Sequence, residues 1–180
     1  MVAYSPIPVS IVNTEPRFLG ESGAFWVQTG VLAVAAIFAF IAIVVSRRVS
    51  RRQAAIEAIF SSRRDEELIK AIRQIAILHG GDKNMAAYAK VEGDEGKYIR
   101  YALNHYEYVS VGISQGIYDE KIFKSSSYTT MVSLYDRTKP FIDEVRNIKS
   151  SRTIYQEFEC LACRWKEKPL KHKPVKTIPK

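Results

Sequence analysis

The stretch from Trp26 to Val45 carries no charged residue, and Ser46-Arg-Arg-Val-Ser-Arg-Arg52 follows it directly. About 20 helical residues at ~1.5 Å rise cover the ~30 Å hydrocarbon core of a bilayer. Only Gln28 and Thr29 are polar, both at its outer end, and Trp26 stands where an interfacial aromatic belongs. A core helix of a soluble protein is rarely apolar all round over such a length. A cleaved signal peptide would put its positive charges before a shorter apolar region. Here the arginines come after it, so the run reads as an uncleaved signal-anchor.

Charge asymmetry sets the expected orientation. The N-terminal flank holds Glu15, Arg17 and Glu21, whereas Arg47, Arg48, Arg51 and Arg52 follow the run. Lys and Arg gather on the cytoplasmic side of a membrane helix, so the first 25 residues are expected outside and the chain after Ser46 inside. The outer segment, with Pro6, Pro8 and Pro16, reads as irregular and is too small for its own core. Within the anchor, Ala35, Ala39 and Ala42 share a face near Gly30, a small-residue spacing that permits close helix contact.

Of 180 residues, those left after the anchor suffice for one modest domain. The net charge of +8 is concentrated in the juxtamembrane arginines and in a basic C-terminal tail. Cations beside a bilayer attract anionic lipid, worth about 1 kcal/mol each near the surface, and this reading outweighs nucleic-acid binding. Cys160 and Cys163 are spaced as in redox or zinc motifs. They lie inside a helical pattern with only His172 nearby, however, so they read as small helix residues and no metal or other cofactor is expected.

Helical periodicity dominates the cytoplasmic part. The stretch Arg51 to Phe60 continues the anchor helix, and Ser62 with Asp65 resembles an imperfect capping box. Leu68, Ile69, Ile72, Ile75, Ala76 and His79 recur at helical spacing until Gly80-Gly81. Asn84 to Lys90 is ambiguous, and Glu92 to Gly96 reads as a turn. A long helix follows from about Lys97 to Gln115, with Ile99, Ala102, Leu103, Tyr106, Val109 and Ile113 inward and Gly116 just past its end. Asp119 can cap a short helix to Lys124, and Tyr128 to Arg137 reads as another. Pro140 disfavours helix at Lys139, giving a kink or a new start. Ser151 is placed to cap a last helix with Ile154, Tyr155, Phe158, Leu161, Ala162 and Trp165 inward.

No P-loop, dinucleotide fingerprint, HExxH or GxSxG occurs. The polar cluster that stands out is Tyr101, Asn104, His105, Glu107 and Tyr108. Asn104 and Glu107 can neighbour each other at i, i+3, whereas His105 and Glu107 do not share a face. A cluster of this kind can serve as an acid–base site or simply satisfy buried groups across helices. The second reading is preferred.

The block Tyr101-Ala-Leu-Asn-His-Tyr-Glu-Tyr-Val-Ser-Val-Gly-Ile-Ser-Gln-Gly-Ile-Tyr-Asp-Glu120 resembles the central motif of the family known as domain of unknown function 4760. Pro140 to Arg146 and Tyr155 to Trp165 are similar to its C-terminal part. The resemblance implies a membrane-anchored bacterial or phage protein with one N-terminal span and a helical cytoplasmic domain. It suggests a prophage or phage-defence setting such as superinfection exclusion, and supplies no catalytic residue.

The expected fold is therefore all-α, one N-terminal transmembrane helix followed by a small cytoplasmic helical bundle. The expected boundaries are 1–25 external, 26–45 signal-anchor, 46–62 juxtamembrane basic helix, 63–165 helical domain and 166–180 disordered basic tail. The expected function is a non-enzymatic interaction module at the bacterial inner membrane. Its expected partners are anionic lipid and a protein or a second copy. The alternative is a membrane-tethered enzyme with a site around Asn104, His105 and Glu107.

Overall fold

A computed structural model of the chain describes residues 17–18, 21–81, 84–91 and 93–171. The chain divides into two compact units, Met1–Arg47 and Arg48–Lys180. In the first, β1 (Arg17–Phe18) pairs antiparallel with β2 (Glu21–Ser22) ahead of α1. Helix α1 spans Gly23–Arg64, starting three residues before Trp26 and running past Phe60. Among the described residues it is the one helix long and apolar enough to cross a membrane, and none of its apolar window is buried. Phe25 and Trp26 meet edge to face at 5.7 Å. The Thr29 hydroxyl donates to the Phe25 carbonyl at 2.9 Å, so its polar group is satisfied within the helix. The expected external segment up to Pro16 lies outside the described residues.

The second unit is built around α4 (Asp94–Ser114), which packs against α2 (Glu66–Gly80) and α6 (Gln156–Glu167). Helix α5 (Glu120–Lys149) lies against α6, α2 and the short α3 (Ala87–Lys90). All six residues expected inward on α4 are buried, together with Phe123, Met131, Leu134, Phe141, Phe158 and Trp165 from α5 and α6. From α1, Ala55 joins this core and Ala58 and Ile59 pack against it. Alanine at 55 and 58 leaves that face of α1 with little side chain to keep it from its neighbours.

Several boundaries differ from the sequence reading. Helix α1 continues through Arg64, and Asp65, not Ser62, caps α2, its carboxylate accepting from the Leu68 amide at 2.9 Å. Helix α4 starts at Asp94, so Gly96 is helical. On α2 the buried set is Leu68, Ala71, Ile75 and Leu78, while Ile69 and His79 face out.

The helix capped by Asp119 does not stop at Lys124 but continues unbroken through Pro140 to Lys149. An internal proline costs about 3 kcal/mol. Phe141 and Ile142 extend the stripe of Met131, Leu134, Tyr135 and Thr138, and both are fully buried. Burying two such side chains returns about 1.5–3 kcal/mol each, while Pro140 itself is exposed. Ser151 is not the cap of α6, whose first residue follows Tyr155 in the left-handed conformation at φ 57°. Lys166, expected to start the tail, is still helical and pairs with Asp136 at 2.6 Å. Residues from His172 onward lie outside the described residues.

Candidate functional site

The fold separates the five polar residues singled out on α4. Tyr101 donates to the second oxygen of Asp65 at 2.9 Å. His105 Nε2 lies 2.9 Å from Ser62 Oγ, and that hydroxyl also reaches the Ala58 carbonyl at 2.7 Å. Since the carbonyl can only accept, the serine spends its proton there and the imidazole Nε2–H is the donor to Oγ. Tyr101 and His105 therefore clamp the α1–α2 junction against α4. Burial lowers the His105 pKa, partly offset by the Asp65 charge. Burial opposes ionisation of Asp65, but the Leu68 amide and the Tyr101 hydroxyl outweigh it and hold its carboxyl below the usual range.

Glu107 points elsewhere. Its carboxylate accepts from the amides of Glu157 at 3.3 Å and Phe158 at 2.8 Å. Tyr155 offers α6 no side-chain cap, so a residue from another helix satisfies the orphan amides and faces the positive end of the dipole. Asn104 and Tyr108 are exposed, Tyr108 at 77%. A cleft of about 210 Å³ is lined by Glu67, Asp94, Lys97, Tyr98 and Tyr101, without Asn104, His105 or Glu107.

A second polar network ties α5 to α6. Glu159 accepts from Tyr135 at 2.7 Å and from Arg146 Nη1 at 2.6 Å, and Arg146 Nε donates to the Ile154 carbonyl at 2.9 Å. Burial opposes ionisation of Glu159, yet the bonds from Tyr135 and Arg146 and the charge of Lys139 leave its carboxyl below the usual range. Cys160 and Cys163 are exposed thiols, and Cys163 Sγ lies 3.8 Å from the Tyr135 hydroxyl. Among the described residues no group of three or more His, Cys, Asp or Glu is placed to hold a metal.

The arginines that follow the apolar run meet partners that the sequence did not single out. Arg48, Arg51 and Arg52 of α1 and Asp119, Glu120, Lys121 and Lys124 around the start of α5 line an open cleft of about 660 Å³. Its acids are committed. Asp119 accepts from the amides of Lys121 at 3.0 Å and Ile122 at 3.2 Å, and pairs with Arg52 at 3.7 Å. Glu120 accepts from Trp165 Nε1 at 2.9 Å and Arg164 at 3.1 Å. Among the described residues no ion pair reaches Arg48, Arg51 or Lys121. Lys121 and Lys124 occupy the first turns of α5, where cations oppose the helix dipole. That misfit was the available sequence signal. Arg47 is exposed on α1, in the other unit, as is Trp26.

The family model described as Domain of unknown function (DUF4760) matches residues 29–165, and the chain belongs to that family. No curated protein and no solved structure matches the chain.

Proposed function

We propose that this member of the family is a single-pass protein of the bacterial inner membrane. Its N-terminus lies outside and its helical domain is a cytoplasmic protein-interaction module. The setting suggested by the family resemblance is prophage or phage defence, superinfection exclusion included. One observation carries the interaction reading: the chemistry-bearing side chains of α4 are spent on helix contacts, while large apolar groups stand at the surface. His105 and Glu107 each bond to a different neighbouring helix. Phe60, Tyr108 and Ile117 are all more than half exposed. The distance in role between His105 and Glu107 weighs against the alternative of a membrane-tethered enzyme.

The cleft lined by Arg48, Arg51 and Lys121, with Lys124 beside them bonded to the Lys168 carbonyl and set over the Tyr128 and Trp165 rings, supports the lipid partner. Uncompensated cations in an open cleft favour phosphate groups, and these arginines follow the apolar run within seven residues. Crosslinking in native membranes followed by pull-down tests the interaction reading. Specific adducts of the chain with itself or with one defined protein are expected. A clean monomer that brings down no partner would contradict it.

A further inference from the structure

Helix α1 has two different sides between Arg48 and Arg64. Towards the bundle, Ala55 is fully buried, Ala58 and Ile59 pack on the core, and Ser62 bonds to His105. Arg48 and Arg51 continue that side into the cleft. On the opposite side, Val49, Ile56 and Phe60 are 46%, 44% and 56% exposed, with exposed Gln53 among them. These four positions are separated by four, three and four residues, the a/d spacing of a coiled coil. With Val49 and Ile56 at d and Gln53 and Phe60 at a, the bundle-facing Ala55, Ala58 and Ser62 fall at c, f and c, on the side away from the seam, and Ile59 falls at g, between the seam and the bundle.

We infer that a second copy of this chain packs in parallel against this outer face of α1. Charge supports that occupant. In this register Arg52 is at g and Glu57 at the following e, the two positions that meet across a parallel dimer. The symmetric pair places Arg52 of each copy against Glu57 of the other. Both side chains are exposed. The register also continues in sequence to Ala42, Ala39 and Ala35, small residues at d, a and d that permit close approach of helices in lipid. Two heptads alone are too short to hold a dimer in water, but confinement of both copies to one bilayer raises their effective concentration. This inference rests on the membrane-anchored interaction reading and names its partner.

The test uses the full chain in native membranes, with Cys160→Ser and Cys163→Ser removing the existing thiols. Single cysteines are introduced at Gln53, Ile56 or Phe60 on the seam, and at Ser61, Ser125 or Tyr108 away from it, followed by mild oxidation. Disulfide-linked dimer is expected at the seam positions at about tenfold the yield of the others. Arg52→Glu or Glu57→Arg alone should lower the yield about fivefold, and the two together should restore it. Restoration separates the intermolecular pair from the loss of the Arg52–Asp119 contact. Equal yield at all positions, no dimer, or dimer only through Tyr108 would overturn the inference. If a partner still crosslinks at Tyr108, the interaction reading survives that failure. Release of the chain from membranes by alkaline carbonate would overturn both.

Discussion

The carboxylate of Glu107, in the middle of α4, accepts the amide of Phe158 at 2.8 Å and so caps a helix fifty-one residues away. The Phe158 ring is fully buried and lies 6.0 Å from that of Tyr106. The cap therefore fixes the entry of α6 at the point where α6 meets the core. Glu107→Ala should cost about 1–2 kcal/mol and lower Tm by about 4 °C. Glu107→Gln keeps an acceptor and should cost less. Thermal unfolding in detergent measures both, and an unchanged Tm for the alanine variant would remove Glu107 from this role.

His105 predicts a pH dependence of stability. The unfolded chain ionises this ring at its ordinary value of 6.5, and burial lowers the folded value. As pH falls, the unfolded state takes up the proton first. The contribution of the neutral ring is thus present above 6.5 and is lost as the pH drops through the folded value. The Asp65 charge moderates the effect, and the Ser62 hydroxyl accepts from the ring whichever way it titrates. Urea midpoints should therefore decline from about pH 7.5 to about pH 5.5. His105→Gln should flatten that decline, and an identical slope in the variant would refute the assignment.

Gly112 and Gly116 have different reasons to be glycine. Gly116 takes φ 69° just after α4, a region costly for other residues. Gly112 is buried in the helix, and a Cβ there would overlap the ring of Tyr118. Gly112→Ala should destabilise by about 1–3 kcal/mol through overpacking. Pairing it with Tyr118→Ala should recover part of the loss, because the obstructing ring is gone. Additive losses in the double variant would contradict the contact.

The lipid assignment is tested by Lys121→Gln with Lys124→Gln. Native mass spectrometry of the delipidated chain should show phosphatidylglycerol retained in preference to phosphatidylcholine. The double variant should weaken that retention about tenfold. Equal retention of the two lipids, or no effect of the variant, would leave the cleft without this ligand.

Local periodicity located most of the core and little of the site. On α4 and α6 one apolar stripe faces one polar side, so Ile99 to Ile113 and Phe158 to Trp165 could be placed from spacing alone. Helix α2 is apolar on two sides. With Ile69 and Ile77 exposed and Ala71 and Leu78 buried, only the neighbours decide which stripe goes in. Pro140 misled because its local penalty is outweighed by the burial of Phe141 and Ile142, residues whose environment is tertiary. The polar cluster on α4 looked like a unit because its members are adjacent in sequence. A helix sends adjacent residues in different directions, and the partners of His105 and Glu107 are forty-three and about fifty residues away. Lys121 and Arg48 meet in the cleft only because α5 begins beside α1.

The most direct test of a single span with its helical domain inside is thiol labelling from outside the cell. Cys160 and Cys163 are both exposed on α6 and are the two cysteines of the chain. A membrane-impermeant maleimide should leave them unlabelled in intact spheroplasts and label them once the membrane is permeabilised. Labelling in the intact spheroplasts would place the domain outside and contradict the proposed topology.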